Sequence, residues 1–306
     1  MKKLLLLTIV FLLAACSASP AQTTSGKLNV VATTTIIGDI VQNVGGDAIN
    51  LTVLLPVGAD PHSFSPTPQD ITKVAKADII FVNGFGLEQF LGDMVENAAT
   101  QATIIEVSQG VEPLTLATVV EDGQTQPAEA GRVDPHTWTS PANAIIFVRN
   151  IEQALAAADP AHAEIFAENA KKYTADLTAL DEWVQAQIET IPPANRKLVT
   201  GHTAFGYYAK RYGLEQIGTV IPGFSTAAEP SAQDLAALQN TINRYGIKAI
   251  FIGATVNPTV SARIAEDTGA RLVRLYTGSL GEKGSGAETY IGYIKYNTNA
   301  IVSALK

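Results

Sequence analysis

The chain holds only four histidines, and two of them sit in nearly the same phrase. One is Asp60-Pro61-His62-Ser63-Phe64; the other is Asp134-Pro135-His136-Thr137-Trp138. Each is followed within a few residues by another proline, Pro66 or Pro141. A proline after aspartate locks its own φ and biases the aspartate toward extended backbone, so each imidazole is presented from a stiff turn. The aromatic two residues on offers an apolar wall against water. The aspartate is placed to cap the turn or to orient the second ring nitrogen. A metal-binding imidazole needs these features. A third histidine lies in Thr200-Gly201-His202-Thr203-Ala204-Phe205, where Gly201 lets the backbone turn and a helix is expected from Thr203 onward. Three neutral imidazoles suit Zn²⁺ and other borderline divalent metals. Taken singly, each has the ordinary reading of a satisfied surface or core residue; their shared setting on three loops is what points to one site. His162, in Ala161-His162-Ala163-Glu164, lacks that setting and reads as a solvated surface residue.

Those loops need elements to hold them. Short β-branched runs at 28–34, 51–55, 78–82, 103–107, 196–200, 217–221, 248–253 and 271–276 read as strands. Stretches with helical spacing, such as 231–245, lie between most of them. This alternation implies α/β architecture with mostly parallel sheets flanked by helices. One segment breaks the rhythm. From 160 to 191 there is no glycine and no internal proline, and Phe166, Ala170, Tyr173, Leu177, Leu180, Val184, Ile188 and Ile191 recur at steps of three and four. The pattern predicts a single helix of about 30 residues, close to 45 Å long. Asp159-Pro160 is expected to start it as cap and first residue, and Pro192-Pro193 to stop it. Four strands precede this helix and four follow. The expected organisation is an N-terminal lobe (27–158), a long rigid linking helix (159–192) and a C-terminal lobe (193–306). Ligands of open α/β sheets collect at loops beyond the carboxyl ends of strands. His62 and His136 from one lobe and His202 from the other are therefore placed to converge in the cleft. Residues 121–132 read as a polar loop, and Trp183, Tyr207 and Tyr208 as packing, with one tyrosine hydroxyl within reach of the site.

Composition narrows the function classes. The 306 residues are 46% hydrophobic and 16% charged, enough for one large or two modest cores. Basic residues number 21 against 29 acidic and are scattered, which excludes a nucleic-acid surface. The N-terminus reads as targeting. Lys2 and Lys3 precede an apolar run at 4–13 that is too short to span a bilayer. Leu13-Ala14-Ala15-Cys16 then resembles the bacterial lipoprotein signal, with cleavage after residue 15 and lipid on the Cys16 thiol. Residues 16–26 are small and polar, a flexible tether. With a single cysteine no internal disulfide forms. The folded part is expected in the cell envelope, lipid-anchored on the extracytoplasmic side. The full chain carries a formal charge of −8, and losing Lys2 and Lys3 with the signal leaves 19 basic against 29 acidic side chains, −10, a weak attraction for cations.

These motifs together resemble the zinc/manganese substrate-binding lipoproteins of bacterial ABC importers. The resemblance is carried by Gly58-Ala59-Asp60-Pro61-His62, Asp134-Pro135-His136 with Trp138, and His202-Thr203-Ala204-Phe205-Gly206-Tyr207-Tyr208. Further matches are Glu229-Pro230-Ser231, the strand at 249–253, and Leu275-Tyr276-Thr277-Gly278-Ser279-Leu280 with Thr289-Tyr290 and Tyr296-Asn297. It runs from about residue 28 to the C-terminus. It implies two lobes on one long helix and a metal held by His62, His136 and His202. The partners it implies are a permease with its ATPase, and the receptor is expected to be a monomer. Manganese receptors of this family often carry glutamate at the third position, so histidine there favours Zn²⁺ as the transported ligand over Mn²⁺. The chain departs from the family in two places. The loop at 121–132 has no histidine, unlike zinc receptors with a metal-gathering loop. Gly278 stands where the family usually supplies an aspartate ligand, leaving the fourth position to water, Glu229 or Glu282.

The expectation is a receptor that makes and breaks no bond, with small loop shifts on binding rather than wide closure. A zinc hydrolase would also fit three histidines and an open position, but no His-Glu-x-x-His helix and no evident general base accompany them. A receptor for a chelated metal is the other alternative, kept open by Gly278. An adhesin role would be an added activity with no residue signature.

Overall fold

The central strands Ile79–Val82 and Ala249–Gly253 are continuous apolar runs buried on both faces, which requires helices on either side of each sheet. The computed structural model describes residues 26–115 and 131–306. Its elements in chain order are β1 (Leu28–Ala32), α1 (Thr35–Gly45), β2 (Ile49–Val53), α2 (Pro68–Ala75), β3 (Ile79–Val82), α3 (Leu91–Ala98), β4 (Thr103–Glu106), α4 (Pro141–Ala158), α5 (Ala163–Glu189), β5 (Lys197–Thr200), α6 (Gly206–Tyr212), β6 (Glu215–Thr219), α7 (Ala232–Tyr245), β7 (Ala249–Gly253), α8 (Thr259–Thr268), β8 (Arg271–Leu275) and α9 (Tyr290–Leu305). Successive side chains of a strand face opposite ways. Val31, Ile80 and Val82 therefore point outward to meet α2 and α3 through Val74, Leu91 and Met94. Val30, Ala32, Ile79 and Phe81 point inward. The second half repeats the scheme, with Val199 and Ile250 against Leu238, Ile242 and Ile264 of α7 and α8.

Both sheets are parallel and four-stranded, with orders β2-β1-β3-β4 and β6-β5-β7-β8. The same order in each half places equivalent loops on the same rim. All eight expected strands are present. β2 and β6 begin two residues earlier than the β-branched runs indicated. Both are edge strands, where polar residues such as Asn50, Glu215 and Gln216 are tolerated in the ladder. The runs still extend the pairing. Leu54 and Leu55 donate to the carbonyls of Ala32 and Thr33, and Val220 and Ile221 to those of Thr200 and Gly201.

Helix α5 lies between the lobes and packs on α1 and α4 of the first and on α6 and α9 of the second. Its stripe of Phe166, Ala170, Tyr173, Leu177, Leu180, Val184 and Ile188 is buried. These residues belong to one continuous core that also takes in the inner faces of both sheets. The start of this helix differs from expectation. Pro160–His162 forms a 3₁₀ turn, and Asp159 accepts a hydrogen bond from the His162 ring at 2.6 Å instead of capping the helix. His162 remains on the surface, as its setting indicated. No helix among the described residues is long and apolar enough to cross a membrane. The signal and tether expected at 1–15 and 16–26, including Cys16, lie outside the described residues save Gly26, as does most of the loop at 121–132.

Candidate metal centre

The two Asp-Pro-His segments fold into the same local turn. In each, the aspartate Oδ1 accepts the backbone N–H of the histidine two residues on, at 3.0 Å for Asp60–His62 and 2.9 Å for Asp134–His136. This is an Asx-type turn, stiffened by the intervening proline. The second contacts of the two aspartates differ. Asp134 Oδ1 also accepts from His136 Nδ1, at 2.8 Å, which assigns the ring proton to Nδ1 and leaves Nε2 as a lone pair facing the site. Asp60 Oδ2 accepts instead from Thr226 Oγ1 of the second lobe, at 2.6 Å.

The structure brings all three expected histidines together and leaves His162 out. His136 Nε2 lies 3.1 Å from His62 Nε2 and 3.2 Å from His202 Nε2. A tetrahedral site with Zn–N bonds of about 2.0–2.1 Å has edges of about 3.3–3.4 Å, so these spacings suit three nitrogens around one small cation. His136 and His202 are buried; His62 is half-buried and forms the outer edge. Burial, then the neighbouring His136, then Arg132 pushes His62 down to about 3. Burial followed by His136 and His62 holds His202 well below the ordinary imidazole range. Both rings are thus neutral at pH 7 and able to donate lone pairs.

The His136 and His202 loops are braced from beneath. Directly after β3 comes the buried Asn83, whose Nδ2 donates to Pro135 O at 2.8 Å and whose Oδ1 accepts from Thr137 Oγ1. Glu88 accepts from Asn83 N at 2.6 Å and from Thr33 Oγ1, and its burial raises the carboxyl pKa. The His202 loop is held by Thr200 Oγ1, which donates to His202 O and accepts from Gln216. Tyr207 Oη donates to Asp134 O and accepts from Leu114 N, so α6 of the second lobe grips the His136 loop of the first. Helix α6 starts at Gly206 and not at Thr203 as expected, and Thr203 N donates to Gly223 O of the neighbouring loop in the same lobe.

The aromatic walls also differ from expectation. Trp138 stands 5.2 Å from the His136 ring, and its indole N–H donates to Thr277 O. Phe64 instead packs on Phe90 in the outer core, 5.0 Å away. Phe224 lies on another side of His136, at 6.3 Å. Phe224, Asn83 and Thr226 were missed in the sequence. Nothing in their spacing ties them to the histidines, and only the chain's return to the cleft puts them there. No carboxylate joins the three histidines among the described residues, and Glu229 and Glu282 are both exposed.

Comparison with known proteins adds what the geometry alone does not name. Residues 30–304 match the family model described as zinc-uptake complex component A, periplasmic. The manganese-binding lipoprotein MntA of Halalkalibacterium halodurans is 32% identical over 98% of this chain and 96% of its own. The manganese ABC transporter substrate-binding lipoprotein PsaA of Streptococcus pneumoniae is 34% identical over 100% and 99%. Among solved structures, the periplasmic zinc-binding protein TroA of Treponema pallidum aligns with a TM-score of 0.81 at 28% identity, covering 92% of this chain and 99% of that one. The Mn-bound periplasmic metal-binding protein of Candidatus Liberibacter asiaticus aligns with a TM-score of 0.77 at 28% identity, over 90% and 99%.

Proposed function

Because the chain belongs to the zinc-uptake complex component A family, we propose that it binds Zn²⁺ in preference to Mn²⁺ on His62, His136 and His202 and hands the ion to a membrane permease. The broader role is plain: this is an extracytoplasmic metal-binding receptor of an ABC importer, a substrate-binding component and not an enzyme. The observation that carries the finer reading is the set of three imidazole nitrogens with no carboxylate among them in the described residues. Manganese favours oxygen donors, whereas imidazole suits zinc. The relatives' names divide between the two metals, so the donor set supports the preference and the names do not. The mature chain starts at Cys16, is held to the membrane by lipid on that thiol, and works as a monomer with a permease and its ATPase. The lobes are 27–158 and 193–306, joined by the segment 159–192 that contains α5.

Competition titration of the metal-stripped protein with Zn²⁺ and Mn²⁺, alongside His202→Ala, tests this. Stoichiometric zinc binding that weakens at least about 100-fold in the variant, with manganese weaker than zinc in the parent, is expected. Manganese binding as tight as zinc overturns the preference. Zinc binding untouched by the variant overturns the ligand set.

A further inference from the structure

Gly278 lies at the point where the two lobes meet beside His62. A β-carbon built on it would stand 2.5 Å from Pro61 Cδ and 2.9 Å from Pro61 Cγ. Real side chains do not approach that closely, so any residue but glycine forces something to move. The surroundings decide what moves. The backbone on one side of Gly278 is pinned, because Thr277 O accepts from Trp138 Nε1 at 2.9 Å and from Tyr293 Oη at 3.2 Å. The other side is pinned as well. Ser279 Oγ accepts from Gly58 N at 2.8 Å and lies 3.3 Å from Thr35 Oγ1, which accepts from Leu280 N. Thr277 and Ser279 are both buried. Position 278 is therefore rigid, and the Pro61 ring must give way.

Pro61 is covalently next to His62, the most exposed of the three imidazoles. The turn that carries them is otherwise held to the second lobe by Asp60 on Thr226 and Gly58 on Ser279. We propose that Gly278 is a positioning residue for His62: the bare backbone at 278 is the seat on which Pro61 rests, and the seat sets the third nitrogen at its distance from His136. This inference rests on the three-histidine reading of the site. It gives the glycine at 278 a role of its own, as the space that lets the outer ligand close.

The test is a double-mutant cycle read by zinc affinity and zinc release rate. Gly278→Ala adds the obstructing carbon; Pro61→Ala removes the two ring atoms it would strike. Gly278→Ala is expected to weaken zinc binding about 10- to 100-fold, mainly through faster release, since displacing a group that orients a ligand costs about that much. In the double variant the Gly278→Ala penalty should shrink to less than about threefold relative to Pro61→Ala alone. Metal-free unfolding midpoints of all variants are measured in parallel. A merely structural role would lower the Gly278→Ala midpoint and leave the affinity of the folded protein unchanged, which overturns the proposal. So does a Gly278→Ala penalty that persists in full in the double variant. His136→Ala separates the two levels. If it binds zinc as the parent does, the three-histidine site itself is wrong. If it loses zinc while Gly278→Ala does not, only the role of Gly278 falls.

Discussion

Asp60 and Asp134 close identical turns, yet only Asp134 touches its histidine ring. The two should therefore be unequal when changed. Asp134→Asn leaves an acceptor for the backbone N–H but weakens the charge-assisted hold on His136 Nδ1, and zinc affinity is expected to fall about 10- to 100-fold. Asp60→Asn perturbs a carboxylate whose Oδ1 meets the His62 backbone N–H and whose Oδ2 meets Thr226, with no ring contact, so the loss should be smaller, about threefold to tenfold. Titration of both variants with Zn²⁺ checks the order; equal losses would show that the Nδ1 contact contributes nothing. His162→Ala, at a surface ring that meets Asp159 and Phe166 away from the site, should leave zinc affinity unchanged.

Helix α5 and the start of α6 act as braces, and their disruption should separate stability from binding. Leu177 is fully buried in the face of α5 that joins the two lobes. Leu177→Ala is expected to cost about 2–5 kcal/mol in chemical denaturation. Zinc affinity of the folded fraction should change little, because no ligand loop leaves α5. Tyr207→Phe removes the hydroxyl that bridges Leu114 N and Asp134 O. It should cost about 1–3 kcal/mol of stability and also loosen zinc, since Asp134 is the residue that orients His136. A stability loss with unaltered zinc affinity would mean that α6 does not support the site.

The whole molecule couples protons and metal to folding. His62 and His202 have folded-state pKa values below the ordinary 6.5, His62 at about 3. As pH falls through 6.5 the unfolded chain takes up protons that the native rings refuse. More protons are then bound in the unfolded state, so stability falls with falling pH. The metal-free protein should be at full stability from this source above pH 6.5 and lose it progressively toward pH 3. His62→Gln should flatten that slope in denaturation midpoints measured between those limits. Zinc acts in the opposite sense. At a free concentration of about 100 times Kd it should add about 2.7 kcal/mol, removed again by chelator. The single core running through both lobes and α5 implies that zinc changes the scattering radius of the protein by less than about 1 Å.

Local chemistry was sufficient for much of this. Short β-branched runs placed eight strands, because parallel strands covered on both faces must be apolar throughout, and periodicity placed the stripe of α5, because burial on one face imposes a repeat of about 3.6 residues. The Asp-Pro-His phrases announced their turns because proline and an Asx contact act within three residues. Their resemblance to a known family also named His62, His136 and His202 together. Contacts between segments far apart in the chain were decided only by the tertiary fold. Phe64 packs on Phe90 instead of walling His62, and Phe224 arrives beside His136 from the second lobe. Asn83, Thr226 and Ser279 became braces because strand ends and loops return to one rim. Glu229 and Glu282, open alternatives in the sequence, project into solvent. Gly278 was legible as a missing carboxylate. That its emptiness is filled by Pro61 depends on two lobes meeting, and no local pattern in the chain encodes where they meet.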